Sequence, residues 1–189
     1  MTDDLRRWPL ADREDALARI ARLSGGDVTA GLVTGLFQVA LRVDPSRTGP
    51  LPFAVPREAG TVATDVHHEV LWLGPDEWLV VTPRDAADVM STIDASLGTD
   101  PHAAVDMSAN RAIVELSGVG RHQLLESRCP LDLHPRSWRA EMCAQTLLGR
   151  AQVVLQHRGD ATRVFVRPSF GAYVVDVLVD AAAMLDVSP

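Results

Sequence analysis

Three stretches of the sequence repeat one order, in which two short apolar strands precede an amphipathic helix. In the first stretch, Glu69–Leu73 and Glu77–Val81 flank Gly74-Pro75-Asp76, a sequence typical of a tight turn. Because so short a connection places consecutive strands side by side and in opposite directions, it predicts an antiparallel hairpin. The repeated order limits the possible folds more strongly than any other feature of the chain.

A helix is predicted after this hairpin. Thr82 is the predicted cap, Pro83 suits the first helical position, and Asp85 completes an arrangement similar to a capping box. Residues at helical spacing then form an apolar stripe, which comprises Ala86, Val89, Met90, Ile93 and Leu97. Gly98 follows this stripe and marks the predicted end of the helix.

The second and third stretches follow the same order. Ala103–Met107 and Arg111–Leu116 are predicted strands, followed by a short helix through Leu124-Leu125. Ala151–Gln156 and Thr162–Arg167 are the third pair. Ser169 is the predicted cap of the last helix, whose predicted apolar face comprises Phe170, Tyr173, Val174, Val177 and Leu178.

These units predict an α+β fold with helices on one face of a largely antiparallel sheet. A doubly wound dinucleotide-binding fold is disfavoured, because hairpins stand where that fold requires crossover helices. No glycine-rich phosphate-binding motif follows any predicted strand. Ser117-Gly118-Val119-Gly120 is the closest candidate, and entry into a helix explains it as well.

The first sixty residues have a different character. A short amphipathic helix is predicted over Asp12–Leu23 and a strand over Gly35–Val43. Asp44–Gly60 contains four prolines, which oppose both helix and central strand and predict an extended connection. The sequence therefore predicts an N-terminal arm over residues 1–60 and an α+β domain over residues 61–189.

Charge and hydropathy exclude several classes of partner. The net charge is −7 and all eighteen basic residues are arginine, scattered without the basic stripe that nucleic acid requires. No stretch approaches the roughly 20 apolar residues that span a bilayer, and the acidic N-terminus leads into no signal sequence. We therefore expect a cytoplasmic protein that binds neither nucleic acid nor membrane.

The densest group of reactive side chains lies in the segment from Arg128 to Arg136. Cys129, Asp132 and His134 suggest a thiol hydrolase, but sequence proximity alone does not bring a thiol to an imidazole, and two prolines favour a structural loop. Zinc is not expected, because Cys129, Cys143, His122 and His134 include no closely spaced ligand pair. Two cysteines are also too few for a disulfide framework.

Other polar residues give no better catalytic candidates. Asp176 and Asp180 lie on the polar side of the predicted last helix, where charges are expected. His67 and His68 are adjacent and are predicted to lie in a solvated turn. The sequence therefore predicts no catalytic, cofactor-binding or metal-binding residue on this chain.

One segment carries the composition of a binding surface. Trp138 stands between Arg136 and Arg139, just after His134, and tryptophan and arginine contribute strongly to protein interfaces. We take these four residues as the candidate subunit interface. For Trp138, a core and an interface position are both open.

Four segments together resemble the sarcosine oxidase gamma-subunit family. They are Leu73-Gly-Pro-Asp-Glu-Trp-Leu79, Cys129-Pro-Leu-Asp-Leu-His-Pro135, Cys143-Ala-Gln-Thr-Leu-Leu-Gly149 and Val166-Arg-Pro-Ser-Phe170. The resemblance implies a non-catalytic subunit of a heterotetramer with alpha, beta and delta partners. That complex oxidises sarcosine to glycine with hydrogen peroxide and formaldehyde, or methylenetetrahydrofolate when tetrahydrofolate is present. The resemblance also implies that FAD, FMN, NAD, tetrahydrofolate and zinc belong to the other subunits.

A wider resemblance concerns the fold. Val105-Asp-Met-Ser108, followed by Ile113-Val-Glu-Leu-Ser-Gly118, is similar to the D-x-S and strand-to-glycine steps of the aminomethyltransferase (glycine-cleavage T-protein) family. This similarity implies an architecture like the folate-binding domain of those proteins. It also leaves a second function open, that of a free-standing folate-binding or one-carbon transfer protein.

Overall fold

A computed structural model describes residues 10–185, which form two compact units. Within the described range, unit one comprises residues 10–34, 111–140 and 145–185, and unit two comprises residues 35–110 and 141–144. The division predicted at residue 60 falls inside unit two. The reason is that the strand Phe37–Val43, which precedes the proline-containing segment, pairs with two strands that follow that segment.

The described residues contain ten strands and four α-helices. The strands are β1 (Thr29–Val33), β2 (Phe37–Val43), β3 (Val62–Thr64), β4 (Glu69–Gly74), β5 (Glu77–Thr82), β6 (His102–Asp106), β7 (Ala112–Ser117), β8 (Cys143–Leu148), β9 (Ala151–His157) and β10 (Ala161–Val166). The helices are α1 (Glu14–Leu23), α2 (Ala86–Leu97), α3 (Arg121–Glu126) and α4 (Pro168–Ala182). None of these helices is long and apolar enough to cross a membrane.

Each unit contains one five-stranded sheet. The strand order is β1-β7-β10-β9-β8 in unit one and β3-β4-β5-β2-β6 in unit two. The registered pairs are antiparallel, which confirms the predicted α+β class. The predicted second strand pair is divided, because β6 pairs with β2 while β7 pairs with β1 and β10.

Unit two is built around the predicted first hairpin. Trp78 on β5 is buried, and its indole Nε1 donates a hydrogen bond of 2.8 Å to the Pro56 carbonyl oxygen. Leu51 and Phe53 from the proline-containing segment are buried in the same apolar core. The segment therefore contributes side chains to the core as well as connecting two strands.

Helix α2 begins later than the sequence predicts. Asp85 is its N-cap, and the Asp85 carboxylate accepts a hydrogen bond of 2.9 Å from the Ala87 backbone N–H. Thr82 is the last residue of β5, and its hydroxyl accepts from the Arg84 N–H instead. The prediction of Thr82 as the cap is wrong because β5 extends through that residue.

Helix α4 is rotated relative to the predicted apolar face. Val174 and Leu178 are buried as predicted, but Val177 is half-buried, and Phe170 and Tyr173 are 47% and 38% exposed. The buried face instead includes Gly171, Val175, Ala181 and Ala182. The Tyr173 hydroxyl accepts a hydrogen bond from the Arg150 N–H, which holds the ring near the surface.

Candidate functional site

The candidate interface residues lie in the loop of residues 128–140, between α3 and β8 in unit one. Short-range hydrogen bonds fold this loop on itself. The His134 N–H donates to the Asp132 carboxylate at 3.0 Å, and the Arg136 N–H donates to His134 Nδ1 at 3.2 Å. The backbone N–H groups of Ser137 and Trp138 both donate to the His134 carbonyl oxygen at 2.8 Å. The His134 backbone and ring thus organise the loop.

The Asp132 carboxylate is held in its charged form by the same turn. A hydrogen bond from the Ser137 side chain and one from the His134 N–H lower the pKa of Asp132 below its usual value. The electrostatic influence of His134 and Arg136 acts in the same direction. This electrostatic environment stabilises the turn and does not prepare Asp132 to act as a general base.

Trp138 attaches the loop to the core of unit one. Its side chain is only 2% exposed, and its indole stacks on the His157 ring with centroids 5.9 Å apart and an interplanar angle of 9°. The sequence left open both a core and an interface position for Trp138. The structure places it in the core. His134, Arg136 and Arg139 are exposed on the same loop, and their role in an interface stays a prediction.

The rings around His157 form a partly buried polar cluster that the sequence did not reveal. His122 meets His157 edge to face, with ring centroids 5.1 Å apart, and Arg121 lies 3.5 Å from His157 Nε2. The Gly159 carbonyl oxygen accepts hydrogen bonds from both His157 and Arg121. Burial, followed by the charges of Arg121 and His157, lowers the pKa of His122 to about 4. His122 is consequently neutral at physiological pH.

The pH dependence of stability is expected to change when His122 is replaced by phenylalanine. The folded pKa of about 4 lies below the ordinary value of 6.5, so between these values the unfolded chain binds a proton that the folded chain excludes. Stability is therefore lost as the pH falls through this window, by about 1–2 kcal/mol after allowance for solvent screening of a ring that is only partly buried.

Urea unfolding at pH 7 and at pH 4.5 measures this loss. His122→Phe should lose less stability between the two pH values than the unmodified chain, because phenylalanine takes up no proton in either state. His102, whose pKa is raised by hydrogen bonds to Asp100 and Asp94, titrates in both proteins and cancels in the comparison. Equal losses in the two proteins would contradict the assignment to His122.

The structure does not bring the predicted thiol and imidazole together. Cys129 is buried with its sulfur 3.6 Å from the Thr146 hydroxyl oxygen, while His134 is exposed and its Nδ1 accepts from a backbone N–H. Cys143 lies within 3.4 Å of the carbonyl oxygens of Thr61 and Trp72, and burial raises its pKa to about 11. The environment of Cys143 is therefore not that of an activated thiolate.

His68 differs from the solvated turn predicted for it. Its ring is buried, and Nδ1 lies 3.1 Å from the Asp65 carboxylate, while the adjacent His67 is exposed. Burial alone would raise the pKa of Asp65, but hydrogen bonds from the His67 and His68 N–H groups and from the His68 ring lower it. The spacing Asp65-x-x-His68 was the available signal for this pair. Asp65 and His68 both line a cavity of about 390 Å³ in unit two.

The D-x-S segment has a structural role. Ser108 donates its hydroxyl hydrogen to the Asp106 carboxylate at 2.6 Å and accepts from the Gln38 N–H at 3.0 Å. These bonds join the end of β6 to the beginning of β2. No group of three or more histidine, cysteine, aspartate or glutamate side chains suited to a metal ion occurs within residues 10–185.

Comparison with known proteins gives consistent results. The model of the SoxG family, described as the sarcosine oxidase gamma subunit family, matches residues 49–184. Sarcosine oxidase subunit gamma of Corynebacterium sp. (strain P-1) is 33% identical over 98% of this chain and 94% of its own length. A chain in the structure of heterotetrameric sarcosine oxidase from Corynebacterium sp. U-96, in complex with pyrrole 2-carboxylate, aligns with a TM-score of 0.87 and 33% identity. That alignment covers 97% of this chain and 100% of the other.

A more distant match concerns the fold alone. The glycine cleavage system aminomethyltransferase T from Bartonella henselae aligns with a TM-score of 0.62 at 10% identity. The alignment covers 88% of this chain but 52% of the aminomethyltransferase. Both resemblances drawn from the sequence are confirmed by these matches.

Proposed function

The chain belongs to the sarcosine oxidase gamma-subunit family, and from this premise we propose that it is a non-catalytic subunit that assembles into a heterotetrameric sarcosine oxidase. The observation that carries the proposal is the alignment with a chain of such a heterotetramer over nearly the full length of both chains. A similarity of this extent includes both units and the loop of residues 128–140.

The partners proposed are the alpha, beta and delta subunits of the complex. The loop of residues 128–140 suits a contact with them, because Trp138 fixes its inner side while Arg136 and Arg139 are exposed on its outer side. Exposed arginines on a rigid loop can pair with carboxylates of a partner at little cost in conformational entropy. His134, Arg136 and Arg139 would then form the contact surface, with Trp138 supporting them from the core.

The chemistry of the complex is proposed to lie on the other subunits. These would hold FAD, FMN, NAD and zinc, use tetrahydrofolate, and convert sarcosine to glycine in the cytoplasm with release of hydrogen peroxide and formaldehyde or methylenetetrahydrofolate. In support, two side chains that could act as nucleophiles are engaged structurally: Cys143 faces backbone carbonyls, and Ser108 joins two strands. The contribution of this chain would be shape and binding surface.

Co-expression with the three partner subunits tests the proposal. We expect the chain to elute with them in size-exclusion chromatography at equal stoichiometry, and the complex to oxidise sarcosine. The isolated chain should show neither flavin absorbance nor sarcosine oxidation. Elution apart from all three partners would refute the assembly role, and sarcosine oxidation by the isolated chain would refute the non-catalytic one.

Calorimetry separates this role from that of a folate-binding protein. Tetrahydrofolate titrated into the isolated chain should give no saturable heat, because the similarity to an aminomethyltransferase concerns the fold alone. Saturable binding at one site per chain would favour the one-carbon transfer alternative instead.

Charge reversal in the 128–140 loop is expected to weaken assembly. The double variant Arg136→Glu with Arg139→Glu should lower the affinity for the partner subunits at least about tenfold, because it places carboxylates where the partner is expected to present its own. The matched control is Arg19→Glu with Arg22→Glu, the same change at exposed positions of α1. Equal affinities of the two double variants would show that the loop lies outside the interface.

A further inference from the structure

The cavity of about 390 Å³ in unit two has a volume within the range of small-molecule sites. Three separate segments of the chain line it. Phe53 comes from the proline-containing segment, and Asp65 and His68 come from the turn between β3 and β4. Arg84, in the connection between β5 and α2, and Val89 on α2 complete this part of the lining. Polar, charged and apolar side chains therefore meet at one cavity.

The polar part of the lining is the pair of Asp65 and His68. The Asp65 carboxylate accepts hydrogen bonds from the His67 and His68 backbone N–H groups at 2.7 Å and 2.8 Å, and His68 Nδ1 lies 3.1 Å from it. Because an ionised carboxylate only accepts, Nδ1 carries the hydrogen of this contact. In the neutral ring the lone pair is then on Nε2, which can accept a hydrogen bond from a ligand.

The contact between the His68 ring and Asp65 exceeds what the turn requires. An aspartate closes a turn of this kind by accepting backbone N–H groups alone. The His68 ring is also packed against Phe53, with ring centroids 5.0 Å apart and an interplanar angle of 41°, and His68 is only 8% exposed. Asp65 and Phe53 together fix the ring, so Nε2 has a defined position at the cavity.

Arg84 brings a positive charge to the same cavity. The last registered pair of β4 and β5 is Glu69 with Val81, so the next residue of the first strand is His68 and the chain beyond the second leads to Arg84. The Arg84 backbone N–H donates to the Thr82 hydroxyl at 3.1 Å, which holds the backbone at this point. A guanidinium pairs with a carboxylate through two parallel N–H···O bonds.

The apolar part of the lining comes from the core of unit two. Phe53 and Val89 both belong to that core and are 6% and 4% exposed, and both also line the cavity. Pro52, next to Phe53, extends the apolar surface. A ligand with an apolar body would cover these groups and remove them from water.

We propose that this cavity binds a small organic acid that carries a hydroxyl group. The carboxylate of the ligand pairs with Arg84, its hydroxyl donates to His68 Nε2, and its apolar body lies against Phe53 and Val89. The hydrogen bond to Asp65 polarises the imidazole and strengthens Nε2 as an acceptor, while the negative charge of Asp65 disfavours a carboxylate at that position. The inference goes beyond the assembly role proposed above and does not depend on it.

Isothermal titration calorimetry of the full chain with 3-hydroxybenzoate and 4-hydroxybenzoate tests the site. The two isomers hold the hydroxyl at different distances from the carboxylate. The isomer whose spacing matches the site should bind saturably, at one site per chain and at least about threefold more tightly than benzoate, which lacks the hydroxyl. The hydroxybenzamide of the same isomer lacks the charge and should bind at least about fivefold more weakly than the acid.

Two variants give different signatures. In His68→Asn the amide nitrogen can still donate to Asp65, but no atom replaces Nε2, so the affinity for the hydroxybenzoate should fall to that for benzoate. Arg84→Gln should weaken binding of hydroxybenzoate and benzoate alike, by about fivefold, because it removes the charge that both acids use. Arg84 is exposed, so this variant is expected to fold even if His68→Asn does not. Arg19→Gln, the same change at an exposed position of α1, should bind as the unmodified chain does.

Four results would overturn the proposal. They are no saturable heat with either isomer up to ~10 mM, equal affinities of the unmodified chain for benzoate and both hydroxybenzoates, a preference for the hydroxyl that survives in His68→Asn, and an affinity of Arg84→Gln equal to that of Arg19→Gln. If neither isomer binds while Arg84→Gln loses the partner subunits, the cavity belongs to a protein contact and the small-ligand site is refuted. None of these results bears on co-elution of the unmodified chain with its partners, so the two proposals fail separately.

Discussion

Replacement of Gly118 by alanine is expected to destabilise the chain by about 3–5 kcal/mol. Gly118 has a φ of +104°, and a Cβ atom built on it would lie 2.2 Å from the Asp27 carbonyl oxygen and 3.2 Å from the Val28 Cα. Both obstacles are backbone atoms, which cannot move aside as a side chain can. The segment around Asp27 is also held by the hydrogen bond from the Gly120 N–H to the same Asp27 carbonyl oxygen at 3.1 Å.

Gly159→Ala is the matched control for this change. Gly159 has a φ of +75°, but a Cβ atom there would have no neighbour within 4 Å. It should therefore show only the backbone cost of a positive φ, about 1 kcal/mol. Thermal unfolding compares the two variants, and Gly118→Ala should lower the midpoint by about 10 °C. Similar midpoints for the two variants would contradict the close approach at Asp27.

Leu178→Asp is expected to prevent stable folding of unit one. Leu178 is 0% exposed on the inner face of α4, so the variant must bury an unpaired carboxylate or expel the helix from the sheet. Either result costs several kcal/mol, a large part of the total stability of a domain of this size. Soluble yield and far-ultraviolet circular dichroism at 25 °C measure the effect.

Val177→Asp, one residue away, makes the same chemical change at a half-buried position. Its carboxylate can reach water, and the expected loss of stability is about 1–2 kcal/mol. The predicted apolar face of the last helix included both residues, so the comparison tests the orientation of α4 directly. Equal losses would mean that α4 is oriented as the sequence predicted.

The local elements of the fold were predictable because their signals are local. The turn Gly74-Pro75-Asp76 and the apolar residues on either side define the β4–β5 hairpin within a dozen positions. The β9–β10 hairpin is defined in the same way, and its register follows from the short turn. β1, β3 and β8 escaped prediction because all three are edge strands, whose partly exposed residues give a weak apolar pattern.

The candidate interface was only partly accessible from the sequence. Trp138 carried a signal for both core and interface, since a large amphipathic ring serves either position. Its stacking on His157, which lies nineteen positions later, required the tertiary structure. The polar cluster of Arg121, His122 and His157 had no sequence signal, because α3 and the end of β9 are far apart along the chain.

The sequence by itself determined the hairpins, most of the helices and strands, the α+β class and the family, because turns, helical periodicity and family motifs are properties of consecutive residues. Only the tertiary structure decided that β6 and β7 belong to different sheets, that α4 buries Val175 rather than Tyr173, and that Phe53 and Arg84 line one cavity. These features depend on pairings between residues tens of positions apart. The free energy of such pairings comes from burial and register across the whole sheet, which no local spacing encodes.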